Sequence, residues 1–196
     1  MSQPFKVNFK VYQGSTFSEP LRWEGSRKVY VPITGISKTA PIVVTLAEPL
    51  DAPNGWRVNI TGVEGMKEIN SSDAYHVVDS VSGNTFEINN INATRYTAYS
   101  AGGTVEYNEP VDLAGYIGRM QVRASIDSPE VLLELTTENG GIVVDNTQKT
   151  ITINITYAQT AGFDFSTAVY SLELERDGVV TPFVNGNLTL VREVTR

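Results

Sequence analysis

The chain has 196 residues, of which 41% are hydrophobic and 19% are charged, and it has a net charge of −7 and no cysteine. The hydrophobic fraction is sufficient for a packed core, so the composition excludes a disordered chain. The acidic balance argues against nucleic-acid binding, because phosphate backbones would be repelled. The lack of cysteine excludes disulfides, thiolate metal sites and thiol catalysis.

In the first half of the chain, apolar and polar residues alternate with a period of two, which predicts β-strands. The N-terminus shows neither a signal peptide nor a membrane span, so we expect the protein to fold where it is made. Residues 5–11 form the first half-buried strand, and we expect it to complete a sheet with the C-terminal half of the chain. Further strands are predicted at residues 29–31, 42–46, 56–60, 75–78, 85–88 and 103–107.

The same period resumes after Pro110. Helical signal is weak: only residues 157–162 favour a helical turn, with Thr156 as its N-cap. Gly140 and Gly141 mark a strong turn. The strands of this half are predicted at residues 116–126, 131–135, 151–156, 169–174 and 188–191.

Many short strands separated by Gly, Asn and Pro turns predict an all-β fold, a sandwich or a barrel. The middle of the chain, residues 35–107, carries most of the Asn-, Ser- and Thr-rich turns, and the two flanks look like halves of one unit. An insertion at a loop tip explains this pattern, because such sites tolerate inserted domains. We therefore predict an outer domain of residues 1–34 and 108–196, with residues 35–107 as a separate β module.

No motif predicts catalysis, a metal site or a cofactor. His76 is the only histidine and lies inside a predicted strand, so a pair of histidine ligands is excluded. Carboxylates are the only abundant reactive groups and could supply a glycosidase pair, but their spacing selects no two of them. We assign them to solvated strand ends and turns; they are Asp112, Asp127, Glu130, Glu134, Glu138, Asp145, Glu173, Glu175 and Asp177.

Two exposed segments are candidate contact sites for a partner. Tyr96 and Tyr99 lie in a polar loop, where tyrosines can stack on sugars or anchor a protein interface. The turn formed by Ser82, Gly83 and Asn84 is the second candidate. We expect that changing both tyrosines to alanine leaves the fold intact but weakens assembly. The tryptophans, in contrast, are assigned to core packing.

The two flanks carry a series of short motifs: residues 13–17 with Trp23, then residues 110–116, 119–123, 131–135, 139–141, 159–161 and 170–174. With these motifs in this order, the flanks resemble the immunoglobulin-like N-terminal domains of upper-baseplate proteins of tailed bacteriophages. The resemblance covers roughly the first 33 and the last 89 residues. Ala114 stands where this family has Thr, a departure that affects a turn.

The middle segment carries a second set of motifs, residues 33–37, 60–66, 69–70, 84–88, 96–99 and 102–105. With them it resembles a small β-barrel module of phage tail proteins often described as similar to the FCCH domain of ubiquitin-activating enzymes. That description concerns shape and implies no adenylation or thiol chemistry. The resemblance extends over about 70 residues.

Together the resemblances imply a structural component of a tailed-phage virion, non-enzymatic and without a cofactor. They imply a tail, baseplate or fibre-attachment adaptor that binds other virion proteins in a symmetric ring or fibre, after synthesis in the host cytoplasm. Two alternatives stay open: a head decoration or head-fibre protein, and a module that binds a host surface glycan. Neither nucleic-acid binding nor membrane insertion is expected.

Overall fold

The computed structural model describes residues 3–71 and 74–193, and within them the fold is all-β, as the sequence predicts. None of the helices in this part of the chain has the length and apolar character needed to cross a membrane. The strands, in chain order, are β1 (Phe5–Lys6), β2 (Phe9–Tyr12), β3 (Phe17–Arg22), β4 (Glu24–Ile36), β5 (Ile42–Leu46), β6 (Arg57–Glu64), β7 (His76–Val77), β8 (Asp79–Ser82), β9 (Thr85–Ile88), β10 (Ala101–Pro110), β11 (Ile117–Arg123), β12 (Leu133–Thr136), β13 (Ile142–Asp145), β14 (Thr150–Ile155), β15 (Thr167–Arg176) and β16 (Val179–Val191).

The chain divides into two compact units. Unit 1 consists of the described residues up to Arg22 and from Asp112 onward, and unit 2 is Trp23–Val111. These boundaries differ from the expected ones at 34/35 and 107/108. The reason is that β4 is one continuous strand, paired with β10 from Glu24 opposite Pro110 onward. Residues 24–34 therefore belong with the inserted segment.

Unit 1 is a sandwich of two sheets. The larger sheet has the order β1-β16-β15-β11-β12, with β2 also paired to β16, and the smaller has the order β13-β14-β3. The sheets meet where β11 contacts β13 and β12 contacts β14. Alternate residues of β14 and β15 are buried between them, which is the period of two seen in the sequence. This strand order is that of an immunoglobulin-like sandwich.

A short helix, α1 (Tyr157–Ala161), follows β14 and confirms the single helical prediction. Thr156 is its N-cap: the Thr156 hydroxyl accepts a hydrogen bond from the Gln159 backbone N–H, and the Gln159 side chain accepts one from the Thr156 N–H. Such reciprocal capping satisfies two donors that a helix start leaves free. The capping residues thus set where this helix begins.

The N-terminal strand pairs with the C-terminal strand, as predicted, and the pairing is parallel: both β1 and β2 lie beside β16. The strand is broken at Val7 and Asn8, which separate β1 from β2. The break is held in place because the Val7 N–H donates to the Asn185 carbonyl at 2.9 Å and the Asn8 side chain accepts from the Asn187 N–H at 2.9 Å. Phe9 and Val11 are buried beyond it.

Tyr170 of β15 contacts the residues of this break from the interior of the sandwich. Its ring is buried and stacks on Phe9, and its hydroxyl donates to the Val7 carbonyl at 2.7 Å. Burial raises the pKa of the Tyr170 hydroxyl above its usual value of 10.0. The folded state therefore keeps this proton at a pH where the unfolded chain releases it. The resulting stability is complete below pH 10 and is lost as the pH rises toward the raised value, by about 1.4 kcal/mol per pH unit.

We expect Tyr170→Phe to lower the free energy of unfolding by about 1 kcal/mol at neutral pH, because the Val7 carbonyl loses its donor. The deficit should shrink or reverse at about pH 11, because phenylalanine has no proton to lose. Urea unfolding of both proteins at the two pH values measures this. Stability curves that stay parallel up to pH 11 would contradict the assignment.

Unit 2 is a nearly closed, barrel-like sheet of order β7-β6-β10-β4-β5-β9-β8. The two end strands, β7 and β8, are separated in the chain only by Val78, so the two edges of the sheet come close together. Its core is built around Trp56, which is fully buried among residues that include Val44, Ile60 and Phe86. The small barrel expected for the inserted segment and the core assignment of Trp56 are both confirmed.

Candidate functional site

The predicted contact turn is the hairpin that joins β8 to β9. Ser82, Gly83 and Asn84 are all exposed. Gly83 has φ 58°, a left-handed conformation that glycine adopts without steric cost. The turn is rigid, because the Asn84 side chain donates to the Leu46 carbonyl at 3.0 Å and the Leu46 N–H donates back to the Asn84 carbonyl at 2.8 Å.

The two predicted anchor tyrosines are less accessible than the sequence suggested. Tyr96 and Tyr99 are half-buried and pack against the core of unit 2. The Tyr99 hydroxyl is also engaged, with the Ile33 carbonyl at 3.2 Å and the Gly102 carbonyl at 3.0 Å. Both tyrosines therefore have a structural role. Changing them together to alanine should destabilise unit 2, in contrast to the expectation of an intact fold.

The Tyr99→Phe change measures the contribution of the hydroxyl alone, because it removes the hydroxyl and keeps the ring. We expect this change to lower the stability of unit 2 by about 1 kcal/mol, because two carbonyls lose a shared donor while ring packing is kept. Tyr96→Phe is the control, because the Tyr96 hydroxyl forms no hydrogen bond within the described residues. The stability of this variant should stay within about 0.5 kcal/mol of the parent. Thermal unfolding followed by tryptophan fluorescence measures both, and equal effects would contradict the assignment.

The turn and the backbone leading to Tyr96 do not form one surface. The turn lies beside Leu46, at one end of β5. The Tyr96 N–H donates to the Ala93 carbonyl, and the Ala93 N–H donates to Thr39, which lies beyond the other end of β5. The two predicted contact segments are thus separated by the length of the β5–β9 pair.

Unit 1 carries a larger candidate site that the sequence did not single out, a groove on the outer face of its larger sheet. The groove has a cavity volume of about 520 Å³. Its floor is made by short side chains of β15 and β16, Val169, Ser171 and Asn187. Long side chains rise at its two ends, Lys6 from β1 and Arg123 from β11. Short residues between long ones make this sheet face concave.

Arg123 is held in a fixed position at one end of the groove. Its guanidinium donates to the Ser128 carbonyl at 2.7 Å and to the Gln121 side-chain oxygen at 2.8 Å. The Gln121 amide in turn donates to the Glu134 carboxylate at 2.7 Å. Both direct partners of Arg123 are neutral. The groove therefore presents an oriented cation whose charge is not cancelled by a direct carboxylate partner in the described residues.

Four of the carboxylates considered for catalysis have other roles in unit 1. Asp112 and Glu138 have lowered pKa values: the Ala114 N–H stabilises the Asp112 carboxylate, and its own backbone N–H stabilises that of Glu138. A lowered pKa favours the ionised form, the opposite of what a general acid requires. Asp145 accepts hydrogen bonds from the Thr147 and Gln148 N–H groups and so holds a turn. Glu173 lies 3.7 Å from Arg119 as an ion pair.

No cluster of three metal-ligating side chains occurs within residues 3–71 and 74–193. His76 lies in β7, half-buried, and its Nε2 donates to the Ile69 carbonyl at 2.8 Å. That contact fixes the ring as part of the strand packing. It matches the assignment of His76 as an ordinary strand side chain.

The groove could have been found only in part from the sequence. The alternation in β11 already placed Arg119, Gln121 and Arg123 on one face, but it gave no sign of the neighbours that complete the groove. Lys6 and Asn187 lie far from them in the sequence and come together only through the pairing of β1 with β16. No protein-family model and no curated protein matches the chain, so its function has to be argued from this geometry.

Proposed function

We propose that the chain is a structural component of a tailed-phage virion, an adaptor of the tail, baseplate or fibre attachment that acts by protein–protein binding. The observation that carries the proposal is the division of the chain. The two family resemblances split the sequence near residues 34 and 107, and the compact units split it after Arg22 and after Val111. The two divisions lie twelve residues apart at the first boundary (34 and 22) and four apart at the second (107 and 111), and both describe a segment inserted into a discontinuous outer unit.

The build of each unit suits such a role. Both units are closed or layered β structures joined by short turns, which gives rigid parts with defined surfaces. Rigid parts repeated around a symmetry axis bind through several weak contacts at once, and multivalency makes the sum strong. The groove of unit 1 supplies a surface on which one such contact can form.

The test uses particles produced by the genome that encodes the chain. We expect mass spectrometry of purified particles to detect the chain in a copy number that is a multiple of the tail symmetry. Gold-labelled antibody against unit 2 should decorate the tail or baseplate in electron micrographs. Label on the head would favour the head-decoration alternative, and absence of the chain from purified particles would refute the proposal.

Host-glycan binding is the weaker alternative. It depended on exposed Tyr96 and Tyr99, and both rings are half-buried against the core of unit 2. A sugar would need an exposed ring to stack on. The two tyrosines on which this alternative rested therefore give it less support than the sequence suggested.

A further inference from the structure

We infer that the groove of unit 1 binds an extended acidic peptide segment of a partner protein. The inference deepens the proposed function by naming the chemistry of the partner, and it rests on that function only for the partner's origin. Its basis is the pair of cations at the ends of the groove and the spacing between them.

The two cations of the groove are available to an anionic ligand. Among the described residues, neither Lys6 nor Arg123 forms an ion pair, whereas Arg119 on the same sheet face is paired with Glu173. Arg123 is already oriented by neutral acceptors, so a ligand carboxylate would not have to bear the entropy cost of ordering it. A planar guanidinium in a fixed position is suited to a carboxylate. In a chain of net charge −7, this is a local site for an anionic group.

The distance between the two cations sets the spacing of the acidic residues in the peptide. Lys6 lies on β1 and Arg123 on β11, with β16 and β15 between them. In the strand register Lys6 is level with Gln121, two residues along β11 from Arg123. Three inter-strand steps of about 4.8 Å across the sheet and about 7 Å along it place the two Cα atoms about 16 Å apart. An extended peptide rises about 3.3 Å per residue, so acidic residues four positions apart span about 13 Å, and the long Lys6 side chain covers the rest. In such a peptide, alternate side chains share a face, so both acids and the residue midway between them point into the groove.

The groove between the cations combines apolar and hydrogen-bonding side chains. Val169 lies on the floor, and Ile126, which is 86% exposed, borders the groove. They give the middle residue of the peptide an apolar contact. The side chains of Ser171, Asn185 and Asn187 offer hydrogen-bond partners to its backbone. The ligand pattern is therefore acid–x–apolar–x–acid.

The same lining argues against a saccharide. Among the described lining residues, the only aromatic one is Tyr170, and its ring is buried on the inner side of the sheet. Saccharide sites commonly use an exposed ring for stacking. A peptide needs no such ring, because its backbone and carboxylates supply the contacts.

The test titrates the ¹⁵N-labelled full chain with the capped peptide Ser-Glu-Ser-Leu-Ser-Glu-Ser. We expect the amide signals of Ser171, Asn185 and Asn187 to shift, with a dissociation constant below about 1 mM. Arg123→Gln should weaken binding about tenfold or more, and Lys6→Gln should weaken it several-fold. Arg119→Gln is the matched control, because Arg119 lies on the same strand and face but is neutralised by Glu173. It should bind within about twofold of the parent.

Several results would overturn the inference. One is equal binding of the peptide with both Glu replaced by Gln, and another is unchanged binding by the Arg123→Gln and Lys6→Gln variants. Shifts of the groove signals with protein concentration alone would assign the groove to a second copy, and shifts with an oligosaccharide but not the peptide would assign it to a glycan. Because the titration uses the isolated chain, its failure would leave the particle experiment to judge the proposed function separately.

Discussion

Gly186→Ala is expected to lower the free energy of unfolding by about 3 kcal/mol. A Cβ atom at position 186 would lie 1.8 Å from the Val7 carbonyl oxygen and 2.8 Å from the Val7 carbonyl carbon. The atoms in the way are backbone, so the break between β1 and β2 would have to move off β16. Three hydrogen bonds depend on that approach, those of the Val7 N–H, the Tyr170 hydroxyl and the Asn8 side chain. Each contributes about 1 kcal/mol.

Gly162→Ala is the matched control for this change. Gly162 also lies in unit 1 and has φ −80°, and a Cβ there would lie an ordinary 3.6 Å from the Gln159 carbonyl oxygen. We expect an effect within about 0.5 kcal/mol. Urea unfolding followed by far-ultraviolet circular dichroism compares the two variants. An unchanged midpoint for Gly186→Ala would show that the N-terminal strand does not lie against β16 in this way.

Trp56→Ala is expected to lower the stability of unit 2 by about 3–5 kcal/mol, the usual cost of deleting a buried aromatic side chain. Trp56 is fully buried, and its indole N–H donates to the Asn108 carbonyl at 2.9 Å. The change therefore leaves a large cavity in the barrel and a carbonyl of β10 without this donor. Such a loss is a large part of the stability of a small domain.

The control for Trp56→Ala is Tyr30→Ala, on β4 of the same unit, where the aromatic ring is 59% exposed. We expect that variant to lose less than about 1 kcal/mol. Thermal unfolding followed by far-ultraviolet circular dichroism compares the two. A Trp56→Ala variant as stable as Tyr30→Ala would contradict the barrel core. Both tryptophans, Trp23 and Trp56, lie in unit 2, so fluorescence of the Tyr30→Ala variant follows this unit alone.

The groove links these structural features to the proposed function. Its floor lies on β15 and β16, and β16 is the strand that holds the N-terminal segment at Gly186. Lys6, one of the two cations, is positioned by that same pairing. Loosening the N-terminal strand by Gly186→Ala should therefore weaken peptide binding as well as stability.

The sequence by itself determined the local features of the fold. A period of two placed the strands and their buried faces, as in β11 and β14, because side chains of a strand alternate between its two sides. Thr156 marked the start of α1, because an N-cap depends only on residues close to it in the chain. The turn at Ser82–Asn84 was likewise visible, since glycine and asparagine tolerate its backbone angles.

Only the tertiary structure decided which strands are neighbours and what surface they make together. Alternation does not say that β4 begins at Glu24 and pairs there with the end of β10, so the unit boundary was expected after residue 34 and lies after Arg22. Nor does alternation predict that Tyr99 packs onto the core, because loop residues show no regular pattern of apolar and polar positions. The groove needs Lys6 and Arg123 on one face, and their distance depends on the pairing of strands more than a hundred residues apart, which no local pattern encodes.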